Sequence, residues 1–368
     1  MYQELFIVKF LFFALFVSMT LPVQADHESA ERILEQVKQY ASRTYTFKPA
    51  KKVRDLPSSQ TTISSRHKSA LEIQGKEVFS VLLFEGEVLA SESYANGATA
   101  DTPVNIYSAA KSFTALAVGE AFCAGKIKSL DDAALIYAPS LEGTAYGAAS
   151  IRHLLGYTSG AKDPGGTGFS GIHSPADFTA MMRHEISLLD LLKKHGEHSQ
   201  FKQGEKFIYN GLDSEALSMV VRGATGMALP AWFENTVWQL AGGEHTGAWF
   251  TDKDGNGVAE ALVWFTSRDF LRIGLYTLER LTGKSNDACM NTFLQEAAQP
   301  RTYKGDYWRY PAPSWGLGMH IGADKSVWFM GHGGQRLALN PKTGRILVMN
   351  SFREWKGMEA DVVRLFSW

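Results

Sequence analysis

A serine and a lysine three residues apart recur four times in this chain, beginning at Ser65, Ser108, Ser159 and Ser199. Residues three apart share a helix face, so the hydroxyl of one and the amine of the other can meet. A serine hydroxyl is a poor nucleophile until an adjacent base takes its proton. A lysine serves as that base where burial or a neighbouring cation favours its neutral form. The tetrapeptide alone is weak evidence, and its surroundings separate the four copies. Ser65-Arg66-His67-Lys68 lies in a polar connector, where a solvated lysine keeps its proton. Ser159-Gly160-Ala161-Lys162 and Ser199-Gln200-Phe201-Lys202 sit beside loop residues. Only Ser108-Ala109-Ala110-Lys111 opens an almost wholly apolar run, which continues to Ala124 and ends at Gly125. In a buried helix Lys111 would be an uncompensated charge unless it had a task or a partner. Standing alone, the pair would be read as a capping serine and a snorkelling lysine. It does not stand alone.

The elements around these residues follow from hydrophobic spacing. Ile33, Leu34, Val37 and Tyr40 give a helical pattern from Glu28 to about Tyr45. Phe79 to Phe84 and Val88 to Ala90 flank Glu85-Gly86-Glu87 as the strands of a hairpin. A helix apolar all round, Ser108 to Ala124, belongs in the middle of a domain. From Leu130 to Gly226 the pattern is helical with loops, including the Gly-rich stretch Gly165 to Gly168. Strands return at Val327–Met330, Arg336–Leu339 and Arg345–Met349, and an amphipathic helix, Met358 to Phe366, closes the chain. Strands at both ends and helices between them predict one antiparallel sheet built from both termini, with a helical region inserted. The expected organisation is a leader at 1–25 and one catalytic domain at 26–368. Its sheet lobe would comprise roughly 26–105 and 230–368, its helical lobe roughly 106–229, with a cleft between them.

With that framework the chain resembles the β-lactamase-related serine hydrolases, which include class C β-lactamases, D-amino-acid peptidases, several esterases and the 6-aminohexanoate-dimer hydrolases. The resemblance runs from about Glu77 to Ser351. It begins with Ile106-Tyr107-Ser108-Ala109-Ala110-Lys111-Ser112-Phe113-Thr114, which looks like the family's nucleophile segment. Gly125 to Asp132 and Ile151 to Gly160 continue it as structural stretches. The family's second element, a Tyr on a loop, is matched by Phe207-Ile208-Tyr209-Asn210-Gly211. The resemblance implies that Tyr209 shares the proton of Ser108 with Lys111 and later protonates the leaving group. Two residues after that Tyr the family usually has Asn or Ser; here Gly211 has no side chain, and Asn210 and Asp213 are the candidate substitutes.

The third element, Gly331-His332-Gly333-Gly334-Gln335, resembles the His-x-Gly variant of the family's Lys-Thr-Gly motif. It implies a cleft-lining strand, with the N–H groups of Ser108 and Gln335 as oxyanion hole and His332 near the Lys111–Tyr209 pair. Gly333 and Gly334 would let the backbone approach substrate closely. Lys342-Thr343-Gly344 spells the alternative motif outright, but it follows Asn340-Pro341 between two short strands and reads as a hairpin tip. Asp252-Lys253-Asp254-Gly255-Asn256-Gly257 begins like a calcium loop, yet its twelfth position is Val263 where a bidentate Glu is needed, so a solvent-exposed turn is expected.

The implied fold is α/β (α+β) of the β-lactamase/transpeptidase-like type, an antiparallel sheet flanked by terminal helices plus the inserted helical lobe. The implied activity is hydrolysis of carboxylic esters or amides through a covalent ester on Ser108, with Lys111 neutral in a desolvated cleft. True β-lactamases of the family mostly carry lysine at the His332 position, so ester or small-amide substrates are favoured over β-lactams and D-amino-acid peptides. The absence of a polar side chain at Gly211 keeps a non-hydrolysing penicillin-recognition or inactive binding module as the alternative from another class.

Composition bounds the partners. The 368 residues are 45% hydrophobic and 20% charged with a formal net charge of -1, so no basic field exists to attract nucleic acid. Small-molecule esters, amides or short peptides are the expected partners. No phosphate loop, metal-ligand spacing or cofactor motif is visible in the sequence. Lys9, the apolar run Phe10 to Val17 and Val23-Gln24-Ala25 resemble a secretory leader cleaved before Asp26. That run is short for a membrane-spanning helix of about 20 apolar residues. Export to the periplasm or medium, with no membrane span after cleavage, is therefore expected. Cys123 and Cys289 are too few for a disulfide framework; Cys123 reads most simply as a small buried residue, with a Cys123–Cys289 bridge as the alternative.

Overall fold

The computed structural model describes residues 39–58, 77–162, 175–303, 311–354 and 356–366. The leader at 1–25, the Ser65–Lys68 copy and Gly165–Gly168 lie outside them. The described strands, in chain order, are β1 (Thr44–Thr46), β2 (Val78–Glu85), β3 (Val88–Tyr94), β4 (Pro103–Asn105), β5 (Ala248–Phe250), β6 (Val263–Thr266), β7 (Thr302–Tyr303), β8 (Ser314–Trp315), β9 (His320–Ile321), β10 (Val327–Gly331), β11 (Gln335–Asn340) and β12 (Arg345–Ser351). They form two antiparallel sheets rather than the single sheet expected. The larger has the order β3-β2-β12-β11-β10-β9-β8-β7, and the smaller β1-β5-β6-β4. The helical pattern expected up to Tyr45 stops sooner: Ala41–Arg43 is a 3₁₀ turn and Thr44 already pairs with Phe250. The β-branched threonines of β1 favour the pleated surface, and pairing with β5 overrides the weak helical periodicity.

Five helices matter for the site and its support: α1 (Ala110–Cys123), α2 (Gly211–Thr225), α3 (Ser267–Leu281), α4 (Ala288–Ala297) and α5 (Met358–Phe366). Thr266 starts α3 by accepting the Asp269 N–H, and Asp287 starts α4 by accepting that of Met290. The large sheet divides its side chains by strand alternation. Leu82, Leu337, Leu339, Ile346 and Val348 face the main core with α1 and α3. Val81, Ala338, Leu347 and Met349 face the other way, where α5 covers them with Met358, Val362, Leu365 and Phe366. This is why α5 is amphipathic and α1 is not. Every α1 residue from Ala110 to Ala121 is buried, because α1 runs through the core.

The two stretches read as structural are tied together: Arg152 forms an ion pair with Asp131 at 2.6 Å. Lys342-Thr343-Gly344 is the tip of the β11–β12 hairpin, where the Asn340 side chain accepts the N–H groups of Lys342 and Thr343. The Asp252 loop is a turn but not a wholly exposed one. Asp252 is buried and accepts the N–H groups of Leu188, Asp254 and Asn256, which stitches the loop to the chain around Leu188. Among the described residues, no group of three or more His, Cys, Asp or Glu is placed to hold a metal ion, and no helix is long and apolar enough to cross a membrane.

Cys123 is not simply a small buried residue: it is joined to Cys289 in a disulfide. The bridge spans a sequence separation of 166 and ties the end of α1 to the first turn of α4. A loop that long gives large stabilisation in the chain-entropy picture, about 3–5 kcal/mol. Cys123→Ala with Cys289→Ala is expected to lower the melting temperature by roughly 5–10 °C, measured by thermal unfolding against the oxidised wild type.

Candidate active site

The path of the chain into Ser108 sets the site. β4 leads out of the small sheet, and the Ile106 N–H donates to Val263 O on β6 at 2.9 Å. The Asn105 side chain then accepts the Tyr107 N–H at 2.9 Å. Tyr107 has φ 46°, a left-handed conformation uncommon for a residue with a side chain. Such conformations persist where surrounding contacts hold them and cluster at functional sites. The chain next makes one 3₁₀ turn, Tyr107–Ala109, and continues as α1. Ser108 is left half-buried, and Lys111 is carried one turn further along, where it is buried.

Lys111 Nζ donates to Ser108 Oγ at 3.0 Å and to the carbonyl oxygen of Glu260 at 2.9 Å. Its third neighbour is the Glu260 carboxylate, Oε2 at 3.3 Å, with both side chains 2% exposed. The ammonium also lies 5.1 Å from the centre of the Tyr209 ring. Tyr209 is held edge-on by Tyr157 and Trp315, with ring centres 5.4 and 5.9 Å away. The structure thus brings Ser108, Lys111 and Tyr209 together around one amine.

His332 lies beside the nucleophile segment, edge-on to the Tyr107 ring with centres 5.7 Å apart. Gly333 and Gly334 make the turn from β10 into β11 at φ 74° and 93°, values that residues with side chains rarely adopt. Gln335 begins β11. Its side chain donates to Ser351 O at 2.6 Å and accepts from Asn350 Nδ2 at 2.9 Å, so its backbone is pinned at the end of the strand.

Neither suggested substitute for the side chain missing at Gly211 serves that purpose. Asn210 caps α2 through the Leu212 N–H and donates to Tyr146 Oη. Asp213 accepts from Ser159 Oγ at 2.7 Å, which also accounts for the Ser159 copy of the motif. The carboxylate beside Lys111 is Glu260, with Glu215 behind it accepting the N–H groups of Ala259 and Glu260 at 2.9 and 3.2 Å. Sequence reading missed both. The available signal was Glu260 as the lone charge in Val258-Ala259-Glu260-Ala261-Leu262-Val263-Trp264-Phe265.

These neighbours change the electrostatics. Burial pushes the Lys111 amine down, but Tyr209 and Glu260 more than offset it, and its pKa is raised above the ordinary lysine value. Burial raises Glu260 despite Lys111. Glu215 is raised well above its ordinary value by burial and by the nearby Glu260. The neutral Lys111 expected from burial is therefore opposed by its neighbours, Tyr209 first and then Glu260, which favour the charged amine.

His332, Gly333 and Gly334 thus lie in the turn between β10 and β11 and not on a strand as expected, with only Gly331 and Gln335 in the strands. A strand-to-helix turn presenting a serine to a buried lysine, with a tyrosine ring beside that lysine, defines a class. Residues 74–362 match the Beta-lactamase family, and the chain belongs to it. This is a family of serine hydrolases with esterase, amidase and peptidase members. A comparison with curated protein sequences finds no match. Among solved structures, the chain is similar to a provisionally assigned 6-aminohexanoate-dimer hydrolase from Bacillus anthracis, at 18% identity and TM-score 0.71, covering 95% of this chain and 96% of that one. It is also similar to a penicillin binding protein from Bacillus halodurans, at 21% identity and TM-score 0.64 over 82% and 99% of the two chains. A third similar structure is EstCE1, a hydrolase with promiscuous acyltransferase activity, at 16% identity and TM-score 0.64 over 82% and 98%. At these identities the likeness is one of fold.

Proposed function

We propose that this protein is a serine hydrolase that cleaves carboxylic esters or small amides through a covalent acyl-enzyme on Ser108. The observation that carries the reading is the 3.0 Å hydrogen bond between Lys111 Nζ and the oxygen of a serine that solvent can reach. Lys111 and Tyr209 handle the proton of Ser108. The backbone N–H groups of Ser108 and Gln335 receive the oxyanion, a charge present only in the transition state and intermediate. His332, with Gly333 and Gly334, borders the substrate. Loss of the leaving group forms the ester, and water releases the acid.

An ester or small-amide substrate fits best, because His332 matches, by its motif, the position at which true β-lactamases of the family mostly carry a lysine. The experiment is a panel of p-nitrophenyl esters, nitrocefin and D-Ala-D-Ala peptides. Turnover of the esters supports the reading; turnover confined to nitrocefin or the D-peptides would replace it with the β-lactamase or D-peptidase reading. The Cys123–Cys289 bridge agrees with export to an oxidising compartment, as does the leader-like 1–25. N-terminal sequencing of the exported protein should begin near Asp26, and retention of residues 1–25 would count against that route.

A further inference from the structure

Gly211 is empty of side chain because another group fills that space. A Cβ built on Gly211 would lie 1.7 Å from Glu260 Oε2 and 2.4 Å from its Cδ, so a side chain at 211 and the carboxylate in its present position exclude each other. Glu260 Oε2 is buried and, among the described residues, makes no hydrogen bond of good geometry. It faces the Lys111 ammonium at 3.3 Å. A buried carboxylate oxygen committed to one cation is costly unless that cation needs it. The backbone carbonyl of the same residue also holds Lys111, so Glu260 grips the amine from two atoms. Glu215 on α2 fixes the backbone that carries both.

We infer that Glu260 is a positioning residue of the hydrolytic site, whose carboxylate replaces the side chain absent at Gly211, aligns Lys111 with Ser108, and takes the proton of Lys111 so that the amine can accept that of Ser108. The inference rests on the reading of Ser108 as nucleophile. At rest the pair is an ammonium and a carboxylate. Transfer of one proton from Nζ to Oε2 leaves an amine and a carboxylic acid. As Oγ bonds to the acyl carbon, the Ser108 proton passes to Nζ, and the carbonyl becomes an oxyanion. When the bond to the leaving group breaks, the leaving group takes that proton by way of Tyr209. In deacylation a water proton passes to Nζ as water adds to the acyl carbon, and returns to Oγ as the ester bond breaks. Return of the Glu260 proton to the amine restores the resting pair.

The charged and titratable groups around Glu260 are Lys111 on α1, which in turn faces Tyr209, together with Glu215 on α2 and Tyr157. With Glu260→Gln no buried carboxylate is left to take the proton, so activation has to release it from the ammonium to solvent and labelling rises only as the amine itself titrates. The test is the rate at which a fluorophosphonate probe labels Ser108 in the full chain, followed against pH. Glu260→Gln should slow labelling about 100-fold at neutral pH, with its rising limb moved to higher pH, so that part of the rate returns in alkali. Gly211→Asn combined with Glu260→Ala restores a polar side chain next to Lys111 without a proton acceptor. It should label roughly tenfold faster than Glu260→Ala while keeping the alkaline limb. Labelling of Glu260→Gln at the wild-type rate with an unchanged pH dependence would overturn the inference. So would a uniform loss with no alkaline recovery, or a double variant no faster than Glu260→Ala. Failure of the wild type to label at Ser108 would instead remove the nucleophile reading, and this inference with it.

Discussion

Ser108→Ala is expected to lower kcat/KM by about 10⁴-fold or more on whichever acyl substrate the protein turns over. In the proposed mechanism Oγ is the atom that bonds to the acyl carbon, so no neighbour can take its place. Any residual rate would come from substrate held against the oxyanion-hole N–H groups, with water attacking directly. The fold should be little affected. Ser108 is half-buried, and after its loss Lys111 retains both the carbonyl and the carboxylate of Glu260. A single hydrogen bond of this kind contributes about 1 kcal/mol net. A full loss of turnover with a melting temperature near wild type is therefore the expected pair of results. An unfolded variant would show that the hydroxyl supports the turn at Tyr107 instead.

Lys111→Met should be as damaging to activity, and unlike Ser108→Ala it should also make stability depend on pH. It leaves Glu260 buried without its cation and Glu215 close behind it. Breaking a buried pair by removing one partner costs about 3–5 kcal/mol when the remaining charge has to persist. A carboxyl group can avoid that cost by keeping its proton. Burial already raises Glu260 in the wild type, and loss of Lys111 removes the cation that opposes the rise. A carboxyl raised in the folded state binds its proton more tightly there than in the unfolded chain. Its contribution to stability is full below the unfolded carboxylate value and is lost as pH rises through the raised folded value. Thermal unfolding should accordingly show Lys111→Met close to wild type at about pH 5 and well below it at about pH 8. The raised pKa of Lys111 places its own titration at alkaline pH, outside that window. A gap that does not change with pH would mean that lost packing, not an orphaned carboxylate, sets the cost.

What could be read from the sequence was what repeats along the chain. The apolar run after Ser108, the alternation in β10, β11 and β12 and the amphipathic spacing of Met358 to Phe366 each follow from local periodicity, and each is an element of the structure. The hairpin tip at Lys342-Thr343-Gly344 was separable from a cleft strand because Asn340-Pro341 before it is turn chemistry. Long-range relations were not legible in this way. The small sheet joins Thr44 to Phe250 and Asn105 to Trp264, pairings that no local pattern encodes. The same is true of Cys123 and Cys289, which two cysteines alone could not place together.

The site divides along the same line. Ser108 and Lys111 are one helical turn apart, so their contact follows from spacing. Glu260 meets Lys111 across a sequence separation of 149 and fills the space over Gly211, relations that no local pattern encodes. Burial alone favours a neutral lysine in an apolar helix, whereas Tyr209 and a carboxyl group at 3.3 Å favour the charged form.

The central claim, that Ser108 is the nucleophile, is tested most directly by intact-protein and peptide mass spectrometry after treatment with a fluorophosphonate probe. The predicted result is a single adduct on the peptide containing Ser108 in the wild type, and none in Ser108→Ala. An adduct on any other serine, or a folded wild type that takes up no probe while still hydrolysing an ester, would contradict it.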